Sequence, residues 1–387
     1  MSRLFAHPFL ARGFRPFFFF GSLYSALCLL VWGGFYAGVI VPGPSFLDPV
    51  SWHAHEMIFG FTIAIVAGFL LTAVANWTGG APARQLHLAL LCMLWMVARL
   101  VVNIDMGLPS WLTMLLTTAF IPALAISLSI PLIRSWSKRN FIFLTLLTVL
   151  FAADLCFLLT LSRTPLYVAL MMILTMVSLI GGRIIPSFTV AALRRKGVMA
   201  FQTDQPRTDF IALITLIATT LALTFAPNTI WLSGAAGAAA AIHALRMRHY
   251  HTLPAMRDPM LWILHVGYSW LVLGLLMLAL TGLGVTAIAS VIHALTAGCI
   301  GSMCLGMMCR VTLGHTGRQQ HASKLTVIAF SLVQAAALFR VFGPMVLPNQ
   351  MSTLIIVSAA LWSAAYGLYF IGYAPMLVSQ RVDNQEA

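Results

Sequence analysis

Long apolar stretches broken by short polar ones organise this chain from end to end. Runs of about 18 or more apolar residues recur, the length a helix needs to cross a hydrocarbon core. Twelve such spans can be drawn, near 17–39, 53–75, 86–104, 111–133, 140–161, 165–183, 209–225, 229–246, 260–281, 286–310, 325–342 and 351–375. Pro, Gly and Asp punctuate the links. The pattern predicts an all-α integral membrane protein of about 12 transmembrane helices, with residues 1–387 as a single polytopic transmembrane domain.

Composition agrees. Of 387 residues, 60% are apolar and 8% charged, against about 25% charged in soluble domains. The first apolar run, from Phe17 to Val39, is longer than the core of a signal peptide, so it is expected to be a retained helix. A net charge of +13 raises the question of nucleic acid. The placement of the charge argues against it, because the basic residues sit in short loops between apolar runs. With the N-terminus in the cytoplasm, 19 of the 22 Lys and Arg fall on inner segments and two, Arg163 and Arg340, on outer ones; Arg99 lies within a span. That asymmetry predicts an even number of spans with both termini cytoplasmic. The six cysteines form no C-x-x-C pair and lie in apolar segments, so no disulfide framework is suggested.

The candidate chemistry begins at WHAHEMIFGF, residues 52–61. His53, His55 and Glu56 open an otherwise apolar helix. Residues three apart share a helix face, so His53 and Glu56 are expected to meet one centre and His55 to look toward another helix. His293, in the tenth span, lies at a similar depth. Nearer the inner side are His243, His265 and His315. Histidines inside a bilayer are costly and usually face the bundle interior, and several at one depth suggest a metal or haem. Asp154, an acid within the fifth span, is a candidate for proton transfer. Met303, Met307 and Met308, with Cys299, Cys304 and Cys309, offer soft ligands to Cu(I), although residues at this spacing are more often packing.

The chain also resembles itself. HEMIFGFTIAIVAGFLLTAVANWTGG from His55 lies over HALTAGCIGSMCLGMMCRVTLGHTGR from His293, an offset of 238. Gly60 matches Gly298, Gly68 matches Gly306, and Thr78-Gly79 matches Thr316-Gly317. GGRIIPSFT, ending the sixth span, repeats the spacing of Arg310 and Thr316 at Arg183 and Thr189. This suggests three four-helix units, with His55 and His293 facing a shared centre as the two axial ligands of a haem.

WHAHEMIFGF, GFLLTAVANWTG, GGRIIPSFT, LWILHVGYSW from Leu261 and HALTAGCIGSMCLGMMCRVTLGHTGR, with RGFRPFF at 12–18, resemble the NnrS family. The resemblance implies a polytopic protein of the bacterial inner membrane that contains haem b and copper. It implies a role in nitric oxide metabolism, denitrification and resistance to nitrosative stress. The family's histidines carry onto His53, His55, His265, His293 and His315 as metal ligands. His55 and His293 are the expected haem ligands and Glu56 the expected catalytic proton donor. The implied partners are nitric oxide, membrane lipid and an electron donor, a quinol or a cytochrome, with no nucleic acid. A nitric oxide reductase-like oxidoreductase is one reading; a non-enzymatic sink, a sensor, or a copper or haem transporter is the alternative. At the level of architecture the chain is similar to haem-copper oxidases, whose catalytic subunit has three four-helix units and haem-ligating histidines on its second and tenth helices. The copper-ligand pattern of that superfamily is absent here, since the sixth span has no histidine.

Overall fold

The computed structural model describes residues 7–41 and 46–383. Arg3, counted above among the inner charges, lies outside them. Twelve principal helices follow in chain order: α1 Phe14–Tyr36, α2 Pro49–Thr78, α3 Gln85–Asn103, α4 Ser110–Arg134, α5 Ile142–Thr160, α6 Thr164–Arg195, α7 Pro206–Phe225, α8 Ile230–Met247, α9 Pro259–Gly282, α10 Ile288–His315, α11 Lys324–Val341 and α12 Met351–Val378. No strand occurs among the described residues. The protein is therefore an all-α polytopic membrane protein. Eleven of the helices are long and apolar enough to cross a membrane. The exception is α8, an 18-residue helix rich in Ala and Gly that carries Arg246 near its end.

Local chemistry explains the ends. Asp48 caps α2, its Oδ1 accepting from the amides of Val50 (3.0 Å) and Ser51 (3.1 Å), with Pro49 in the first turn where its missing N–H costs nothing. Asp258 and Pro259 repeat the device at α9, and Ser323 caps α11. Helices α2 and α10 are each followed by a glycine in the left-handed region, Gly79 (φ 65°) and Gly317 (φ 76°), a conformation that costs little only without a Cβ. Large apolar side chains such as Leu90, Met93, Ile126, Phe210 and Ile371 remain exposed, as expected of surfaces that meet lipid tails.

Contacts divide the chain into two compact units. The first holds α1 to α5, the start of α6 and the ends of α10 and α12 (residues to Ala169, Met308–Gln320, and from Ser363). The second holds most of α6, then α7 to α9, α10 as far as Met307, α11 and the start of α12 (Leu170–Met307 and His321–Trp362).

Both units contain the same helical feature. Helix α2 is wound as α-helix over Pro49–His55, as π-helix over Glu56–Thr62, and as α-helix again from Ile63. Helix α10 does the same over Ile288–His293, Ala294–Ile300 and from Gly301. Both limits of the π segment are displaced by the same 238 residues that align His55 with His293. Each π segment closes on the wider i→i−5 pattern, Ile63 N–H to Ile58 O in one and Gly301 N–H to Thr296 O in the other.

The packing repeats too. In the first unit a Cβ on Gly21 of α1 would meet Ile65 Cδ1 at 2.8 Å and Ala64 Cβ at 3.3 Å. In the second, one on Gly267 of α9 would meet Met303 Cγ and Ser302 Cβ, both at 3.0 Å. Gly60 lies against the Tyr24 ring and Gly298 against the Trp270 ring; Gly68 meets Phe17 and Phe18, and Gly306 meets Ile263 and Leu264. So α1 with α2 and α9 with α10 are two copies of one helix pair. Among the three aligned helices the correspondence is confined to α2 and α10. Helix α6 is α-helical from Thr164 to Arg195 with no π segment, so its matching Arg and Thr spacing does not extend to a third copy of this feature.

A π turn frees a carbonyl from the α ladder, and buried carbonyls need donors. In the first unit Trp95 Nε1 donates to Gly60 O at 2.9 Å. In the second, Ser302 Oγ donates to Gly298 O at 2.6 Å, while Gln334 Nε2 donates to that hydroxyl at 2.7 Å and Trp270 Nε1 to Gln334 Oε1 at 2.9 Å. Trp95→Phe should therefore destabilise by about 1–2 kcal/mol, the cost of one unmade buried hydrogen bond. Thermal unfolding in detergent measures it, and an unchanged midpoint would show that the Gly60 carbonyl does not depend on Trp95.

Candidate functional site

In the first unit the winding change falls between His55 and Glu56, and an ionic network with a buried centre forms there. Glu56 comes from the first π residue, Arg99 and Asn103 from α3, Tyr24 from α1, and Asp154 from α5. Glu56 Oε1 accepts from Arg99 Nη1 and lies 2.8 Å from His55 Nδ1. Its Oε2 accepts from the Tyr24 hydroxyl, and from Asn103 Nδ2 at 3.3 Å. The other ring nitrogen, His55 Nε2, lies 3.0 Å from Asp154 Oδ1. Asn103 also donates to Tyr24 Oη at 3.0 Å, and Trp52 Nε1 donates to Asn103 Oδ1 at 2.9 Å. His55 and Glu56 are fully buried and Asp154 nearly so. The Phe59 and Phe157 rings flank the imidazole at 5.1 and 5.6 Å.

The charges explain how such a network survives in an apolar bundle. Two carboxylates face one guanidinium and one imidazole. The set is neutral only when it holds one proton beyond the neutral imidazole's own. An ionised carboxylate only accepts hydrogen bonds, so with both acids ionised both ring nitrogens must donate. In the neutral set that proton lies between His55 Nε2 and Asp154 Oδ1 or between His55 Nδ1 and Glu56 Oε1.

Glu56 meets His55, not His53 as its helical phase suggested. His53 instead stacks on Trp32, ring centroids 4.3 Å apart and planes 7° from parallel. Three-residue spacing aligns side chains on a continuing α-helix, but here the winding widens at Glu56, and its carboxylate folds back on the preceding imidazole.

The second unit places an apolar version at the matching positions. Ala294 stands where Glu56 does, Ala337 where Arg99 does and Val341 where Asn103 does. His293 is half-buried, with Nδ1 2.6 Å from Ala289 O. His265 is buried between two hydroxyls, Nε2 at 2.9 Å from Thr189 Oγ1 and Nδ1 at 3.1 Å from Thr252 Oγ1. Thr189 Oγ1 also lies 2.8 Å from Ile185 O. His243 is held by Ala239 O and Ser178 Oγ. Arg246, beside it, donates to Ser178 Oγ and Tyr268 Oη and pairs with Asp209.

His315 belongs to the first unit, at the end of α10. Its Nδ1 accepts from Arg12 Nη1 at 3.1 Å and its ring lies 5.6 Å from that of Phe14. A guanidinium on the ring nitrogen disfavours a metal cation at this place. Met303, Met307, Met308, Cys299, Cys304 and Cys309 are all buried within α10.

The sequence missed Tyr24, Asn103 and Trp52, polar groups on helices with no other chemical signature. Arg99, the one basic residue within a span, was the available signal.

The fold and this site define an α-helical polytopic membrane protein with a buried ion network beside one of two matched histidines. The chain belongs to the NnrS family, whose model, described as NnrS protein, matches residues 8–381. No curated protein and no solved structure matches it. Membership makes it a nitric-oxide-related membrane protein of a family associated with haem and copper.

The residues fit those groups unequally. At His293 the carbonyl on Nδ1 is the arrangement that fixes a ligating imidazole's tautomer and directs Nε2 to a metal. At His55 both nitrogens face carboxylates, so ligation there requires Asp154 to be displaced. For copper, no group of three His, Cys, Asp or Glu among the described residues is arranged to hold a metal ion.

Proposed function

We propose that this protein handles nitric oxide in the membrane, with His293 as a residue that would hold haem and, separately in the first unit, the His55–Glu56–Asp154–Arg99 network as a proton store. The observation that carries the reading is the repeated histidine followed by a π segment. A π turn gives up α-helical hydrogen bonds and occurs mostly at functional sites. Keeping it in both copies, in register with His55 and His293, argues that it serves those histidines. His55 is a second candidate ligand if Asp154 is released, and His53, His265 and His315 rank below both on the contacts above. No copper site is assigned to particular residues.

The reaction proposed is reductive: two NO, two electrons and two protons give N2O and water. Haem supplies a redox-active iron that binds NO. The chain itself supplies protons and dryness. Glu56 keeps its proton-accepting oxygens at His55 Nδ1 and Tyr24 Oη, Arg99 fixes its charge, and the Phe59 and Phe157 rings exclude water. A proton given up by His55 to the reduction of nitric oxide would leave the imidazole neutral and the network with one net negative charge, until a further proton is taken up. The bacterial inner membrane with both termini cytoplasmic, and a quinol or cytochrome as donor, belong to the same proposal.

The test is anaerobic consumption of NO by the purified protein given a reductant. Turnover well beyond one NO per protein, with N2O as product, is expected, and Glu56→Gln, which removes a carboxylate that holds the His55 proton, should slow it about 10²-fold or more, the range for loss of a positioned acid–base group. Consumption that stops near one equivalent would instead identify a binding sink.

A further inference from the structure

The arginines at the opposite end of the first unit have no role in the reading above. RGFRPFF supplies Arg12 and Arg15, the link after α10 supplies Arg318, and the residues after α12 supply Arg381. Arg15 is completely buried. Its Nη1 donates to Leu377 O at 2.9 Å and to Ser379 O at 2.6 Å. Its Nε and Nη2 are buried with no hydrogen-bond partner among the described residues, and so is Arg12 Nε. Arg12, Arg318 and Arg381 all lie close enough to Arg15 to repel its charge. Burial, together with Arg381, pulls the Arg12 pKa below its ordinary value.

Among the described residues one carboxylate answers this group. Asp383 binds Arg381 through Nε (2.8 Å) and Nη2 (2.6 Å). Among the described residues Arg318 Nη1 reaches only the Thr316 carbonyl, at 3.4 Å. Buried guanidinium N–H groups without acceptors are expensive, and so many like charges around one of them call for a counterion. The five donors of a guanidinium match phosphate oxygens in pairs. Arg15 sits at the second residue of α1 and touches the end of α12, so the group lies where helices leave the membrane. Basic pockets at that level bind lipid phosphates.

We infer that Arg12, Arg15 and Arg318, with His315 and Arg381 beside them, form a binding site for a phosphate-type oxyanion. The bound oxygens would accept from Arg15 Nε and Nη2 and from Arg12 Nε. The ligand is either the headgroup of an anionic phospholipid or free phosphate, and one titration separates them.

The experiment follows thermal unfolding of the full-length protein in a non-ionic detergent while phosphatidylglycerol, phosphatidylcholine or inorganic phosphate is added at constant ionic strength. A ligand that binds the folded state raises the midpoint as its concentration passes its Kd. Phosphatidylglycerol is expected to raise it where phosphatidylcholine does not. If inorganic phosphate also raises it, the site takes a soluble oxyanion; if only phosphatidylglycerol does, the ligand is the lipid headgroup. Arg12→Gln and Arg318→Gln should each weaken the apparent affinity about tenfold, as expected for loss of one charge-assisted hydrogen bond. These two are used because Arg15 also holds two backbone carbonyls and its loss is expected to impair folding. The inference is overturned if neither phosphatidylglycerol nor phosphate shifts the midpoint, if phosphatidylcholine acts equally, or if both variants respond as the wild type does.

Discussion

Replacing Arg99 by Leu is expected to lower the stability of this protein by about 3–5 kcal/mol, the cost of leaving a buried charge without its partner. Arg99 donates to Glu56 Oε1 from inside the bundle, with side-chain exposures of 7% and 0%. Without it, two carboxylates share a single imidazole, and one of them must take up a proton or find water. Arg99→Leu combined with Glu56→Gln should recover part of the loss, since the second change removes the stranded charge. The contrast is Arg163, which lies 3.6 Å from Asp48 with both side chains 54% exposed. Arg163→Gln should change stability by about 0–1 kcal/mol. Thermal unfolding of the three variants decides the matter. Equal effects of Arg99→Leu and Arg163→Gln would mean that the network carries no buried charge.

The second large effect concerns the glycines that let paired helices approach. Gly298→Ala places a Cβ within 2.6 Å of Trp270 Cγ, and Gly60→Ala places one 2.7 Å from Tyr24 Cε1. Neither ring can easily retreat. Trp270 is tied to Gln334 and Tyr24 to Glu56 and Asn103. Overpacking of this kind typically costs about 1–3 kcal/mol, reduced by the better helix propensity of Ala. Gly234→Ala in α8 is the control. Nothing lies within 4 Å of its added Cβ, so it should be neutral or stabilising by up to about 1 kcal/mol. If all three behave alike, the close approach of the paired helices is not what the glycines serve.

These expectations rest on parts of the structure that were unequally legible in the sequence. Eleven of the twelve helices were readable because a membrane span imposes its length and polarity on the chain, and most observed limits fall close to the hydropathy limits, although α6 runs on from the expected end at 183 to Arg195. The copy of α2 in α10 was also readable, because a histidine, three glycines and a threonine hold fixed places. Its partner was not. Aligning α1 with α9 needs a different offset, since the links to α2 and α10 differ in length, and Gly21 with Gly267 is the main shared mark. The π segments carry no composition of their own. They set which neighbour Glu56 meets, and that is why reasoning from α-helical phase chose His53. The ionic network was half legible. Glu56, His55, Arg99 and Asp154 each stood out as polar residues in apolar runs, but nothing in the order of residues said that three helices would bring them together. Tyr24 and Asn103 are ordinary residues until the packing is known.

The central claim is that the histidine at the head of the α10 π segment holds haem. It is tested most directly by the visible absorption spectrum of the protein purified with ample haem, oxidised and then reduced, beside that of His293→Ala. The account predicts a Soret band in the wild type, and its loss or marked weakening in the variant while the protein remains folded by circular dichroism. A wild-type spectrum with no Soret band, or a variant spectrum identical to the wild type, would contradict it.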